Sequence, residues 1–355
     1  MKTADDRIAE VIARSIDARV FPGCVVGYLK DGARKERAFG ALTYDADAPR
    51  TDTDTIYDVA SLTKAIPTAS LLLAYIDEGR ASPDDRVADH LPEFDNGPGK
   101  REVRLRHLLT YTLDLAGIAR ASALKDLPPE AIFAAILHAP LGAPPGTRFA
   151  YANAPAVIMG LVAERIGGGS LPELAQERFF VPLAMECTGF SPKACGIERI
   201  APTETDPWRG GEVRGVVPDE SAYVMSRIRA VGSAGLFSTV PDILHFMEML
   251  LARGVHGGRR YFSEAIVKEM HTDQIASTGR RTGLGWELDQ PWFMGDADPA
   301  RTFGKTGFTG CSLVMNPSRN AGLVLLSNCD WPHRPKGREA INAVRAALAD
   351  IVLGG

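Results

Sequence analysis

The chain has 355 residues, enough for one large domain or two closely packed ones. Hydrophobic residues make up 45% of it and charged residues 24%, which is ordinary for a soluble globular enzyme. A net charge of -4 gives no reason to expect a nucleic acid or an anionic membrane as a partner. No apolar run approaches the roughly 18 residues that a membrane-spanning helix needs.

The cysteines and the first residues indicate a compartment. The five cysteines are scattered and form no C-x-x-C pair, a pattern more typical of reduced thiols than of a disulfide scaffold or a zinc site. The segment 1–20 is rich in acidic residues and lacks an apolar h-region, so we expect no signal peptide. These features predict a cytoplasmic protein that uses neither a metal nor another cofactor.

The first sixty residues show a helix, a hairpin and a short strand. Apolar residues at helical spacing over 8–20 predict an amphipathic helix that ends before Pro22-Gly23. Lys30-Asp31-Gly32 has the composition of a hairpin turn and lies between two strand-like runs. A polar stretch then leads to a short strand at Ile56-Tyr57.

Helical periodicity dominates from Leu71 to about Thr188, with its clearest helix over 154–166. A further helix is expected over 240–252, opened by Pro241-Asp242. Strand patterns then return, and a helix over 339–352 closes the chain. The three predicted C-terminal strands are 301–307, 311–316 and 322–328.

Strands at both ends of the chain with helices between them predict an α+β fold. In this fold an antiparallel sheet is built from both termini and flanked by helices, and a mainly helical domain is inserted. We place the α/β domain at 1–62 and 200–355 and the helical domain at 63–199.

The run Ala60-Ser61-Leu62-Thr63-Lys64 stands before an apolar segment with helical spacing. That spacing predicts a buried helix over 65–76, with Ser61 at its first residue or cap. Lys64 would lie one turn further on the same face, within reach of the hydroxyl. The helix macrodipole would favour an ionised serine, and burial would lower the pKa of Lys64. The alternative is an ordinary N-cap serine beside a solvated lysine.

Tyr151-Ala152-Asn153 directly precedes the clearest helix. The pKa of a tyrosine is about 10, and two nearby ammonium groups would lower it. The phenol could then shuttle a proton while the Asn153 amide binds a substrate carbonyl. The alternative is a buried aromatic residue beside an asparagine cap.

Lys305-Thr306-Gly307 lies in a strand pattern near the C-terminus. An edge strand that offers a lysine, a hydroxyl and an open backbone can bind an anionic or carbonyl-bearing substrate. Gly307 would let that ligand approach the backbone. The alternative is a solvated strand lysine beside a glycine bulge.

Taken in this order, S-x-x-K at Ser61, Y-x-N at Tyr151 and K-T-G at Lys305 resemble the serine β-lactamase and penicillin-binding-protein superfamily. Y-x-N in place of S-D-N resembles the class C β-lactamase-like branch, which includes family VIII carboxylesterases, D-stereospecific peptidases and related amidases. The resemblance covers most of the chain. It includes Gly283-Leu284-Gly285-Trp286, a segment similar to a later landmark of the family. Two features differ from many relatives: Tyr111 opens a segment that often reads His-Thr-Ser-Gly-Leu, and Lys305 is often His in esterase-like members.

The resemblance implies a β-lactamase/transpeptidase-like fold with the active site in the cleft between the two domains. It implies that Ser61 is acylated, that Lys64 and Tyr151 act as a coupled base, and that Ser61 and Phe308 hold the oxyanion through backbone N–H groups. The substrate-binding residues that it implies are Asn153, Lys305, Thr306, Gly307 and Phe308.

The expected function is hydrolysis of an ester or amide through an acyl-enzyme, first of all by a small-acyl carboxylesterase. The alternatives are a β-lactamase, a D-alanyl-D-alanine carboxypeptidase or D-aminopeptidase-like enzyme, and an acyltransferase on the same scaffold. A non-catalytic binding module would not need the intact Ser61, Lys64 and Tyr151. The predicted partner is a small ester, amide or β-lactam, with no nucleic acid and no membrane. The natural acyl and leaving groups and the oligomeric state stay open.

Overall fold

The structure is a computed structural model that describes residues 2–118, 124–296, 301–333 and 337–354. The two predicted domain ranges also include positions 1, 119–123, 297–300, 334–336 and 355, which lie outside the described residues. None of the described helices is long and apolar enough to cross a membrane.

The strands of the described residues are short, and most of the longer ones lie near the chain ends. They are β1 Gly23–Lys30, β2 Ala33–Gly40, β3 Tyr57–Asp58, β4 Glu204–Asp206, β5 Gly211–Val213, β6 Phe237–Ser238, β7 Val255–His256, β8 Arg259–Arg260, β9 Glu287–Leu288, β10 Phe303–Thr306, β11 Ser312–Asn316 and β12 Ala321–Ser327.

Six of these strands form one antiparallel sheet in the order β2-β1-β12-β11-β10-β9. The N-terminal hairpin therefore pairs with the last strand of the chain, with Cys24 opposite Ser327. Asp31 and Gly32 form the hairpin turn at φ 52° and 75°, the left-handed geometry that short hairpin turns require. The predicted α+β fold, with a sheet built from both termini, is confirmed.

The α-helices of the described residues lie on both faces of this sheet and in the middle of the chain. They are α1 Ala4–Asp17, α2 Ser70–Asp77, α3 Val87–His90, α4 Leu105–Leu109, α5 Pro129–His138, α6 Asn153–Gly167, α7 Leu171–Ala175, α8 Glu220–Met225, α9 Val240–Leu251, α10 Glu264–Met270, α11 Pro291–Met294 and α12 Gly337–Leu353.

The two faces of the sheet are buried against different helices. Because side chains alternate along a strand, Val26 faces a core shared with α1 and α12, whereas Val25 faces a larger core that contains α9. Gly27 lets α9 approach closely, since a Cβ atom there would lie 2.4 Å from Val240 Cγ1. The larger core continues from α9 into α2 and α6. The domain boundaries at 62 and 199 stay a prediction.

The predicted continuous helix over 65–76 is wrong. Ala60–Lys64 forms a separate 3₁₀ turn, and Ile66 has extended backbone angles of φ -117° and ψ 110°. Pro67 explains this break, because the ring of a proline disfavours helical angles at the preceding residue. Helical geometry resumes beyond it and continues through α2. Ser61 therefore lies in a five-residue turn, and the macrodipole of a long helix does not act on it.

Candidate active site

Ser61 follows the β3 strand and a strained residue. β3 pairs with β6, and Ala60 then adopts φ 48°, a left-handed angle that alanine rarely takes. The Asp58 carboxylate stabilises this turn, because its Oδ1 accepts a hydrogen bond from the Ala60 backbone N–H at 2.8 Å. The bend directs the chain into the 3₁₀ turn that carries both Ser61 and Lys64.

Lys64 is completely buried, at 0% exposure, and it is hydrogen-bonded to three uncharged groups and to the Tyr151 phenol. Its Nζ donates at 2.8 Å to Ser61 Oγ, Asn153 Oδ1 and the Ser233 carbonyl oxygen. Burial lowers the pKa of Lys64, and the charge of Lys305 adds to this effect, while Tyr151 and Asp219 oppose it. A lysine with a lowered pKa next to a serine hydroxyl can accept its proton.

Tyr151 lies two residues before α6 and between the two lysines. Lys305 Nζ is 4.3 Å from the centre of its ring, and Lys64 Nζ is 5.3 Å away. Burial would raise the pKa of Tyr151, but the Lys305 and Lys64 ammonium groups and a hydrogen bond with Ser61 outweigh it, so the pKa is lowered. The residue as a whole is 42% exposed and lines the same cavities as Ser61.

Asn153 is the first residue of α6 and connects Lys64 to an acidic residue. Its Oδ1 accepts from Lys64, and its Nδ2 donates to Asp219 Oδ2 at 2.7 Å. Asp219 is itself fixed, because its other oxygen caps α8 by accepting from the Ala222 backbone N–H. These bonds orient the amide, and its second N–H has no partner in the described residues. That N–H suits the predicted role of binding a substrate carbonyl.

Lys305 lies in β10 and differs from the expectation that it binds a substrate carboxylate. Its side chain is 0% exposed, and its Nζ donates to Glu287 Oε1 at 2.8 Å. The ammonium also lies 4.0 Å from the Tyr111 ring centre, a favourable cation–π distance. Burial alone would lower the pKa of Lys305, but the Glu287 carboxylate outweighs burial and the pKa is raised. The charge of Lys305 is thus satisfied by the protein.

Thr306, Gly307 and Phe308 continue from β10 along the wall of the cleft. All three line a cavity of about 430 Å³ together with Ser61. A Cβ atom on Gly307 would lie 2.4 Å from the Val59 carbonyl oxygen. A side chain at position 307 would therefore collide with the backbone just before Ser61. We had expected Gly307 to leave room for a ligand, but the group that it accommodates here is the protein backbone. This packing brings the predicted oxyanion donors, the Ser61 and Phe308 backbones, to one cavity.

The cavities on the two sides of Ser61 differ in charge. The cavity of about 430 Å³ has three arginines in its lining, Arg280, Arg338 and Arg345. A second cavity, of about 290 Å³, shares Ser61, Tyr151 and Arg338 with the first but has three acidic side chains in its lining. These are Glu204, Asp219 and Glu220. In the described residues, no group of three or more His, Cys, Asp and Glu side chains is arranged to hold a metal ion.

Sequence reasoning missed three residues of this site: Tyr111, Asp219 and Glu287. Glu287 directly follows the landmark 283–286, but nothing in that pattern indicated that its carboxylate pairs with Lys305 eighteen residues further on. Tyr111 was noted only as a difference from relatives. Its hydroxyl donates to the Gly285 carbonyl at 2.8 Å, which places its ring against Lys305.

Comparison with known proteins agrees with the resemblance. A family model described as Beta-lactamase matches residues 8–348. A protein of Escherichia coli O157:H7 called "Putative D-alanyl-D-alanine carboxypeptidase" is 31% identical, over 91% of this chain and 81% of that protein.

Solved structures share the fold at low sequence identity. "EstCE1, a hydrolase with promiscuous acyltransferase activity" superposes with a TM-score of 0.77 at 21% identity, covering 98% of both chains. The "Beta-Lactamase/D-Alanine Carboxypeptidase from Pseudomonas syringae" has a TM-score of 0.77 at 18% identity, covering 97% of this chain and 98% of that one. At such identities the likeness concerns the fold alone.

Proposed function

This chain belongs to the β-lactamase family, and we propose that it is a serine acyl hydrolase with Ser61 as the nucleophile and small-acyl esters as its main substrates. The observation that carries the proposal is the 2.8 Å hydrogen bond between Lys64 Nζ and Ser61 Oγ in a site where the pKa values of both Lys64 and Tyr151 are lowered. A nucleophilic serine needs such a base within hydrogen-bond reach.

In acylation, Ser61 Oγ forms a bond to the substrate carbonyl carbon while its proton passes to the Lys64–Tyr151 pair. The two groups titrate as one unit, so the pair as a whole is the base. The Ser61 and Phe308 N–H groups stabilise the oxyanion; one such donor typically contributes about 10²–10³ in kcat. The bond to the leaving alcohol then breaks as that oxygen takes a proton from Tyr151.

In deacylation, a water molecule takes the place of the leaving alcohol. Tyr151 accepts a proton from this water while the water oxygen attacks the acyl carbon. The bond between Ser61 Oγ and that carbon then breaks, Ser61 Oγ regains its proton, and the acid is released. The place of Tyr151 in the lining of both cavities that contain Ser61 supports this role, because the phenol must meet both water and the leaving group.

The state of Lys305 favours neutral esters over substrates that carry a carboxylate. Its ammonium is buried, is paired with Glu287 and does not line either cavity that contains Ser61, so a substrate carboxylate in those cavities does not reach it. This agrees with the small-acyl carboxylesterase that we expected from the sequence.

The arginines give a specific reason to keep a second candidate, a D-alanyl-D-alanine carboxypeptidase or β-lactamase. Arg280 and Arg338 line the larger cavity beside Ser61 and are exposed, so they could bind the carboxylate that Lys305 does not. The relative in Escherichia coli carries the carboxypeptidase name.

The deciding experiment combines labelling with a substrate panel. A fluorophosphonate should label Ser61, as mapped by mass spectrometry, and Ser61→Ala should abolish labelling while Ser70→Ala keeps it. Labelling elsewhere would contradict the proposed nucleophile. The panel compares kcat/KM for p-nitrophenyl butyrate, nitrocefin and a D-alanyl-D-alanine peptide. We expect the ester to be preferred; a preference for either of the others establishes the second candidate.

The same panel, repeated with Arg338→Ala, separates the two substrate classes further. If carboxylate-bearing substrates use the arginines, the substitution raises KM for nitrocefin and the peptide but leaves KM for the neutral ester unchanged. Adding methanol as an acceptor and measuring methyl butyrate tests for acyl transfer. Formation of this product in excess of free butyrate would mean that the enzyme is a transferase.

A further inference from the structure

Two of the five cysteines, Cys187 and Cys195, lie beside each other next to the β3–β6 pair. Both are partly exposed free thiols, and their side chains are in hydrogen-bonding contact. Cys195 Sγ also donates to the carbonyl oxygen of Glu186, the residue before Cys187, at 3.7 Å. This contact was not predictable from the spacing of the cysteines, because seven residues separate the two.

The other three cysteines have different surroundings. Cys24, Cys311 and Cys329 are buried, so an oxidant in solution would reach them poorly. Cys187 and Cys195 pack at the edge of a small apolar cluster formed by Ile56, Ile200 and Phe237. They therefore combine contact between two thiols with partial access to solvent, both of which disulfide exchange requires. Burial raises the pKa of the Cys187 thiol to about 11, which slows attack by its thiolate.

We propose that Cys187 and Cys195 form a redox-sensitive dithiol that a low-molecular-weight disulfide oxidises to an intramolecular disulfide. The thiolate of one cysteine attacks the small disulfide, giving a mixed disulfide and releasing one small thiol. The second cysteine then attacks the mixed disulfide, forms the Cys187–Cys195 bond and releases the second small thiol. The protein loses two thiol protons and two electrons, which the small disulfide gains.

Both ends of the loop 187–195 are attached to the strands that lead to Ser61. At one end, Gly189 and Phe237 exchange two backbone hydrogen bonds of 3.0 and 2.9 Å, and Phe237 lies in β6. At the other end, the Ile56 N–H donates to the Arg199 carbonyl at 2.8 Å, directly before β3. A disulfide would therefore close a covalent loop of residues 187–195 beside the β3–β6 pair, and β3 ends three residues before Ser61.

The oxidised protein should unfold at a higher temperature but keep its active site, because the bond joins groups already in contact. Closing a loop of nine residues restricts the unfolded chain. For a chain of 355 residues, this corresponds to an increase in Tm of about 3 °C. Hydrolytic activity below Tm should stay within about twofold.

The test is oxidation of the whole native protein with oxidised glutathione, followed by thiol counting after denaturation and by peptide mapping. We expect the protein to lose two of its five thiols. Trypsin cleaves after Lys193, so the disulfide should join the peptides 179–193 and 194–199. Reduction with dithiothreitol should restore all thiols and the original Tm.

Variants provide the controls. Cys187→Ser and Cys195→Ser should each keep Tm unchanged on oxidation and carry one glutathione on the remaining cysteine. Cys24→Ala, which removes a buried thiol, should still form the linked peptides. The absence of these peptides from oxidised wild-type protein, or a disulfide joining other cysteines, would overturn the proposal, and so would linked peptides with an unchanged Tm. These readouts do not depend on whether Ser61 is a nucleophile.

Discussion

Lys64 and Lys305 both approach Tyr151, and both are completely buried, yet their surroundings have opposite effects on their pKa values. Lys64 donates to a hydroxyl, an amide oxygen and a backbone carbonyl, and its pKa is lowered. Lys305 donates to the Glu287 carboxylate, and its pKa is raised. Burial favours the neutral form of both, so the charge of the contacting partner decides the outcome.

This difference divides the work between the two lysines. Lys64 loses its proton more readily than an ordinary lysine and is suited to proton transfer with Ser61. Lys305 keeps its proton and acts as a fixed positive charge that lowers the pKa of Tyr151. The lowered pKa of Tyr151 beside Lys64 therefore depends on Lys305, which keeps its charge.

The largest expected effect is the loss of the base. Lys64→Ala and Tyr151→Phe should each lower kcat/KM by about 10³-fold, and the double variant should be little worse, because groups acting as one unit are non-additive. Steady-state kinetics with p-nitrophenyl butyrate measures this. Lys100→Ala is the matched control, since Lys100 is a buried lysine outside the cleft that donates to Asn96 Oδ1 at 2.9 Å. Losses that simply multiply would show that Lys64 and Tyr151 act independently.

The second effect concerns the fixed charge. Lys305→Met leaves Glu287 buried without its cation and should destabilise the protein by about 3–5 kcal/mol. Because the folded pKa of Lys305 is raised, the stability from this pair is fully present below the unfolded pKa of about 10.4 and is lost only as pH rises through the folded value. Urea unfolding at pH 7 and pH 9 should therefore give the same difference between variant and wild type.

A surface ion pair serves as the control for that measurement. Arg253 and Glu264 are 3.0 Å apart but mostly exposed, and exposed pairs contribute little. Arg253→Met should change stability far less than Lys305→Met. Equal losses from the two substitutions would mean that burial does not set the strength of the Lys305–Glu287 pair.

The third effect is a shift in pH dependence. The Glu287 carboxylate raises the pKa of Tyr151, opposing the lysines. Glu287→Gln removes this charge and should move the acid limb of the kcat/KM profile to lower pH, with Lys305 still hydrogen-bonded to the new amide. A shift to higher pH would show instead that Lys305 loses its proton without Glu287. The position of the limb, unlike the maximal rate, would not respond to a merely structural defect.

The sequence predicted the fold and the order of the motifs because both depend on local patterns. Alternation of apolar residues placed the strands of both termini, and Asp31-Gly32 placed the hairpin. The break at Ile66 was predictable as well, since Pro67 is visible in the sequence, but the apolar spacing was given more weight. Local rules thus sufficed for most elements of the sheet.

The partners of the charged groups were not predictable in the same way. Glu287 meets Lys305 only because β9 and β10 are neighbours in the sheet, with Gly304 opposite Glu287. Asp219 meets Asn153 across 66 positions of the chain, because α8 starts beside α6. Such contacts follow from the tertiary fold, and no spacing rule relates the residues involved. They are also the contacts that set the pKa values on which the proposed chemistry depends.

The smallest expected effect comes from Asp219, a carboxylate one hydrogen bond further from the base. Asp219 raises the pKa of Lys64 but reaches it only through Asn153. Asp219→Asn removes the charge; its single amide oxygen can accept from Asn153 Nδ2, and the bond from the Ala222 N–H is then lost. The pKa of Lys64 should therefore fall slightly, and the acid limb of kcat/KM should move to lower pH by less than it does in Glu287→Gln. The two profiles should be measured under the same conditions, because coulombic effects weaken with ionic strength. If the shift were as large as that of Glu287→Gln, a carboxylate would not need direct contact with a lysine to change the pKa values of this site.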